Sequence, residues 1–184
     1  MRNLDDARII QLIYPTTGLH PPLKADIKKS PRLQFLDTGI LNYSLNIQAD
    51  MLGIPDLSDI YKGSVIPHII YQELLSLNSL KQNKPPFWVR EKKQSSAEVD
   101  IVITYDNKAI PVEIKSGSTG KLRSLHQFID VCPHSYAIRV YGGEYKVQKI
   151  KTPAGKPFIL MNMPYYLGTR IPGYIDYLLR NYQL

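Results

Sequence analysis

The chain has 184 residues, 43% of them hydrophobic and 21% charged, the size and balance of one soluble globular domain with a core of its own. Lys and Arg number 23 against 16 Asp and Glu, giving a net charge of +7 and a pI near 9.4, which favours polyanionic partners and nucleic acid above all. A lone Cys132 excludes an internal disulfide framework. No run approaches the roughly 18 apolar residues of a membrane helix and no signal-peptide pattern follows Met1, so the expected compartment is the cytoplasm.

In chain order, Arg2 to Ala7 reads as a short polar helix running into a strand from Ile9 to Tyr14, which Pro15 ends. A second strand, Arg32 to Leu36, follows the basic turn Lys28-Lys29-Ser30-Pro31. Two strands joined by a basic loop admit two readings, the wing of a winged helix and a plain sheet extension. A helix capped by Asp37 or Thr38 follows, and Gly53 and Pro55 mark the expected boundary between an N-terminal arm, 1–55, and a main domain, 56–184. A longer helix is expected from a cap at Ser58 or Asp59 towards Leu80, its stripe formed by Ile66, Ile69, Ile70, Leu74, Leu77 and Leu80. Glu73 falls within that stripe, where a carboxylate needs a partner.

Phe87 to Arg90 reads as a short strand. The stretch EVDIVITYDNKAIPVEIKSG, Glu98 to Gly117, then has the pattern of a β-hairpin, two alternating runs around the turn formers Asp106 and Asn107. Strand periodicity puts Glu113 and Lys115 on one face and Val112 and Ile114 on the other. With simple register Asp100 converges on the same point. A helix capped by Ser118 or Thr119 and running to Val131 follows, with Leu122, Leu125, Phe128 and Ile129 facing inward. Strands are expected over Tyr136 to Tyr141, Tyr145 to Ile150 and Pro157 to Met161, and a last helix from Gly173 to Asn181. The coarse order from the long helix onward is helix, three strands, helix, strand.

Asp100, then Glu113-Ile114-Lys115, with Glu73 on the preceding helix, resembles the PD-(D/E)XK, or restriction-endonuclease-like, superfamily. That resemblance implies an α/β (α+β) core, a mixed sheet flanked by helices in the order α-β-β-β-α-β. It also implies Mg²⁺- or Mn²⁺-dependent hydrolysis of phosphodiester bonds in DNA, with Glu73, Asp100 and Glu113 as metal ligands and Asp100, Glu113 and Lys115 as the catalytic set. The chemistry suits the residue types, because Mg²⁺ prefers hard carboxylate oxygens and a lysine can offset charge on a reacting phosphate. An E-x-K pair also occurs on strands as an ordinary salt bridge, and the scaffold can persist without cleavage, so a non-catalytic module binding nucleic acid or protein is the alternative.

The segments LQFLDTGILNYSL, YQELLSL, FWVR, AEVDIVI and IPVEIKSG are further similar to the uncharacterised C-terminal domain of a bacterial and archaeal AAA-type ATPase family. The resemblance implies an ATPase module and a winged-helix-like segment upstream in a longer protein. Gly117-Ser118-Thr119-Gly120-Lys121 fails the Walker A spacing, so ATP-driven chemistry is expected to lie in sequence outside this chain. Gln127, Lys121, Arg123 and Glu98 are secondary candidates near the site, each with a plain surface role as the competing reading. His20, His68, His126, His134 and Cys132 lack zinc spacing, and no nucleophile elbow occurs. Tyr141, Tyr145, Tyr165, Tyr166, Tyr174, Tyr177 and Tyr182 are expected to pack a core or a protein interface rather than to stack bases.

Overall fold

A computed structural model describes residues 2–47, 65–77, 84–90, 97–117 and 120–184. Elements in chain order are α1 (Arg2–Asp6), β1 (Ile10–Ile13), β2 (Pro15–Thr16), β3 (Arg32–Phe35), α2 (Thr38–Ser44), α3 (Val65–Leu77), β4 (Phe87–Val89), β5 (Glu98–Val99), β6 (Ile101–Tyr105) and β7 (Lys108–Ile114). There follow α4 (Arg123–Val131), β8 (Tyr136–Tyr141), β9 (Lys146–Lys151), β10 (Pro157–Pro164), a 3₁₀ turn (Tyr165–Arg170) and α5 (Ile171–Asn181). This is a mixed α+β fold, its sheets flanked by helices, and four strands, β4 to β7, lie between α3 and α4 where three were expected, because the strand run breaks at Asp100 between β5 and β6. Among the described residues no helix is long and apolar enough to cross a membrane.

The main sheet runs β6-β7-β8-β10-β9. β6 and β7 form an antiparallel hairpin in the register Ile101↔Val112 to Tyr105↔Lys108, closed by Asp106 and Asn107 at φ 44° and 55°. Positive φ at both central residues is the primed turn whose twist matches a hairpin, and Asp and Asn tolerate it best after glycine. β7 is parallel to β8 and β8 to β10, while β9 returns antiparallel along the edge. α4 supplies the crossover that parallel neighbours require. Pro111 sits in a strand with partners on both sides, yet the ladder with β8 begins only at Val112, and Val102 opposite donates its N–H to Pro86. The missing proline donor therefore costs no sheet bond.

Side-chain alternation divides the core into two layers. Ile110, Val112, Ile114, Ile138, Val140, Ile159, Met161 and Met163 face α3 and α5, where they meet Ile66, Ile70, Leu74, Ile171, Ile175 and Leu178. Ala109, Ala137, Phe158 and Leu160 face the other way, onto Leu125, Phe128 and Ile129 of α4. The 3₁₀ turn presses on α3 so closely that a Cβ added at Gly168 would stand 2.3 Å from Ile70 Cδ1.

Several boundaries differ from the sequence reading. α4 begins at Arg123, not at Ser118 or Thr119; Leu122 precedes it with no side-chain cap. Those two residues, like the expected cap at Ser58 or Asp59 and the boundary at Gly53 and Pro55, lie outside the described residues. β4 joins a separate small sheet with β2 and β5, because Trp88 pairs Val99 while Val102 turns its N–H to Pro86. The β1 and β3 strands do pair, antiparallel, and they pack on α3. Phe35 N–H donates to His68 Nε2 (2.8 Å), and Gln34 Nε2 donates to the His68 carbonyl (3.1 Å). Phe128, fully buried, meets Trp88 edge to face at 5.2 Å. Phe128→Ala is expected to lower stability by about 3–5 kcal/mol with little change in denaturant m-value, measured by urea unfolding followed through Trp88 fluorescence.

Candidate active site at the end of the hairpin

Continuing the hairpin register one step past Ile101↔Val112 places Asp100 beside Glu113. Val99 belongs to the α4 layer and Ile101 to the opposite layer, so the chain bends at Asp100 and its carboxylate turns to the edge of β7. There Oδ2 accepts the Ile114 N–H at 2.9 Å. Glu113 is 4% exposed, on the α4 face of β7, and its Oε1 receives Lys115 Nζ at 2.5 Å. Glu113 Oε2 is buried with no hydrogen-bond partner. The E-x-K spacing thus works as strand geometry dictates, acid and base two residues apart on one face.

Arg32, from β3, closes the site from the opposite side. Its Nη1 donates to the Asp100 carbonyl (3.2 Å), and its Nη2 contacts Asp100 Oδ1 (3.5 Å) and is hydrogen-bonded to Glu98. The guanidinium also lies 4.4 Å from the centroid of Phe87. Beside it, a cleft of about 250 Å³ is lined by Ile13, Arg32, His68, Tyr71, Asp100 and Ile114, among others. His68 accepts the Phe35 N–H through Nε2, which fixes the neutral ring, and burial lowers its pKa.

Of the residues singled out by sequence, Asp100, Glu113 and Lys115 come together and Glu73 does not join them. Glu73 is half-buried on α3, and at 100° per residue it falls on the flank opposite Pro67, His68 and Tyr71, the three α3 residues lining the cleft. Among the described residues no group of three or more His, Cys, Asp or Glu side chains is placed to hold a metal ion. Glu98 is exposed and serves Arg32, while Gln127 accepts from Arg90 Nη1 at 2.8 Å. Lys121 and Arg123 are exposed before and at the start of α4. Tyr165 donates to the Lys115 carbonyl at 2.8 Å. Of the other tyrosines, Tyr145, Tyr166 and Tyr177 are exposed.

Two participants were not foreseen. Arg32 reads in the sequence only as the first residue of a strand after a basic turn, and its contact with Asp100 spans 68 positions. Arg139 lies within the run YAIRVY, which reads as an apolar strand, yet it is the direct register partner of Glu113 on β8. A single polar residue amid an otherwise buried strand was the available signal.

The donor set is suited to a hard cation in one respect, the orphaned oxygen. Burial first, and then the charge of Asp100, raise the Glu113 pKa from 4.5 to about 7, against the opposing hydrogen bond and charge of Lys115. A cation between the two carboxylates would relieve that repulsion and occupy Oε2. In its absence the sign is fixed: a carboxyl with a raised folded pKa contributes stability that is fully present below about 4.5 and is lost as pH rises through about 7. Relative to Glu113→Gln, which cannot ionise, the wild type is expected to lose on the order of 3 kcal/mol between pH 4.5 and 8. Paired urea titrations across that range measure the difference.

Comparison with known families gives a match over residues 62–165 to a domain of unknown function (DUF4143). The matched span contains α3, the hairpin, α4 and β8 to β10, and so holds Asp100, Glu113, Lys115 and Arg139, while Arg32 lies before it. Searches of curated proteins and of solved structures return no match. More than half of the chain is covered, and the protein belongs to the DUF4143 family.

Proposed function

We propose that this chain hydrolyses phosphodiester bonds in DNA with Mg²⁺ or Mn²⁺, using the site at the end of the hairpin. The observation that carries the reading is the pairing of a buried, partnerless Glu113 oxygen on β7 with Asp100 and Lys115 at the ends of the adjoining strands. Asp100 and Glu113 would hold the ion, which supplies Lewis-acid polarisation of the phosphate. Glu73, aimed to another flank of α3, is left out of the set. Lys115 stands 2.5 Å from Glu113 and 27% exposed at its side chain, so its ammonium reaches both the carboxylate and incoming solvent. In that position it orients a water by hydrogen bonding and offsets negative charge developing on the phosphate. The surplus of cations, 23 against 16, favours the approach of a polyanion.

The second reading, a non-catalytic nucleic-acid- or protein-binding module, has an observation of its own. Asp100 already pairs with Arg32 and with the Ile114 N–H, and Lys115 already neutralises Glu113, which is how a self-contained structural cluster is built. The resemblance to C-terminal domains of AAA-type ATPases fits either reading, with the ATPase module supplied from elsewhere in a longer protein.

Cleavage separates the two. Wild-type protein is expected to nick supercoiled plasmid with Mg²⁺ or Mn²⁺ and not with EDTA. Lys115→Ala is expected to lower the rate at least ~100-fold, with near-UV circular dichroism unchanged. Metal-independent, salt-sensitive DNA binding without any nicking supports the binding module instead.

A further inference from the structure

The sheet registers align more than one pair of polar residues. Glu113 on β7 is opposite Arg139 on β8, Arg139 is opposite Asn162 on β10, and Asn162 is opposite Lys146 on β9. The three central members share the face that α4 covers, since they alternate in step with Ala109, Ala137 and Leu160. They lie beyond that apolar layer, at the C-terminal ends of the parallel strands β7 and β8, where open α/β sheets place their ligands. Each has a buried polar atom without a hydrogen-bond partner: Glu113 Oε2, Arg139 Nε and Asn162 Oδ1. Three such atoms in one cross-strand row are concentrated beyond what a structural row needs, because a buried orphan costs free energy.

Arg139 is the cation among those three. Its neighbours on β8, Ala137, Ile138 and Val140, are fully buried. An arginine at such a place ordinarily pairs with a carboxylate. Here Glu113 gives its bonded oxygen to Lys115, and Arg139 has no ion pair among the described residues. Its guanidinium lies instead over the ring of Tyr141, 4.1 Å from the centroid. Tyr141 is held by its hydroxyl, which donates to the Glu144 carbonyl at 2.7 Å. Backbone also passes its edge closely, and a Cβ on Gly143 would stand 2.4 Å from the ring. Glu113 and Arg139 thus face each other across β7 and β8, with Lys115 and Tyr141 each two residues further on along the same face. Arg139 is half-buried and its Nε is enclosed, so stacking through the ring face leaves the two terminal Nη groups to meet a bidentate acceptor, the geometry that suits a phosphate.

We propose that Arg139, stacked on Tyr141, binds a phosphodiester oxyanion of DNA beside Glu113 and Lys115. The inference rests on the phosphodiester reading of the same site, and metal-free binding tests it apart from cleavage. The affinity of a 20-base-pair duplex is measured in EDTA over a salt series for wild type, Arg139→Gln and Arg139→Lys, each checked by thermal unfolding. Arg139→Gln is expected to weaken binding roughly tenfold and to reduce the slope of log K against log salt by about one. Arg139→Lys keeps the charge, so it is expected to keep the slope while losing part of the affinity. If Arg139→Gln unfolds, a natively folded Arg139→Lys with weakened binding sustains the proposal. Wild-type affinity and slope in the folded variants, or no DNA binding by the wild type, overturns it. A wild type that binds with the expected Arg139 dependence and never cleaves overturns the hydrolytic reading alone.

Discussion

Two carboxylates brought together at the end of one hairpin, with one of them inside the protein, constrain everything around them. Glu113 is buried in an internal strand and raised to a pKa of about 7 by that burial and by Asp100. Such a pair is tolerated only where cations and backbone donors meet it, and the fold brings three: Lys115 just past the end of β7, the Ile114 N–H, and Arg32 from β3. One oxygen of Glu113 is still left over. That buried orphan costs free energy which Lys115, the Ile114 N–H and Arg32 do not recover, and this is the point on which the functional reading turns.

The architecture places the pair by a short chain of causes. The Asp106-Asn107 turn sets the register of β6 and β7, and the register sets Asp100 beside Glu113. A bend at Asp100 moves its side chain out of alternation, to the edge where β3 can reach it. α4 then carries the chain across to β8, laying Arg139 next to Glu113 in parallel register. Helices on both faces hold these strands within fully buried layers, so the charged groups cannot shift without disturbing the core.

Much of this was legible in local pattern. The hairpin, its turn and the shared face of Glu113 and Lys115 follow from period-two alternation, and the inward face of α4 follows from helical spacing at Leu125, Phe128 and Ile129. What escaped depends on tertiary reach. Nothing near Arg32 in sequence names a partner 68 positions away, and nothing in YAIRVY says which strand will lie alongside. Glu73 shows the converse: a carboxylate in an apolar stripe looked committed to the site, but the rotation of α3 turns Pro67, His68 and Tyr71 to the cleft instead. α4 starts at Arg123 with no side-chain cap from Leu122, so no capping residue marks that start in the sequence.

The proposed chemistry depends on Glu113 being a buried carboxylate whose unbonded oxygen suits a cation. Carbon-13 NMR titration of the Glu113 carboxyl, assigned by comparison with Glu113→Gln, tests it directly. The predicted result is a midpoint near 7 without divalent ions, lowered by about one pH unit or more when Mg²⁺ is added. A midpoint at the ordinary glutamate value, or one near 7 that Mg²⁺ leaves unmoved, would contradict it.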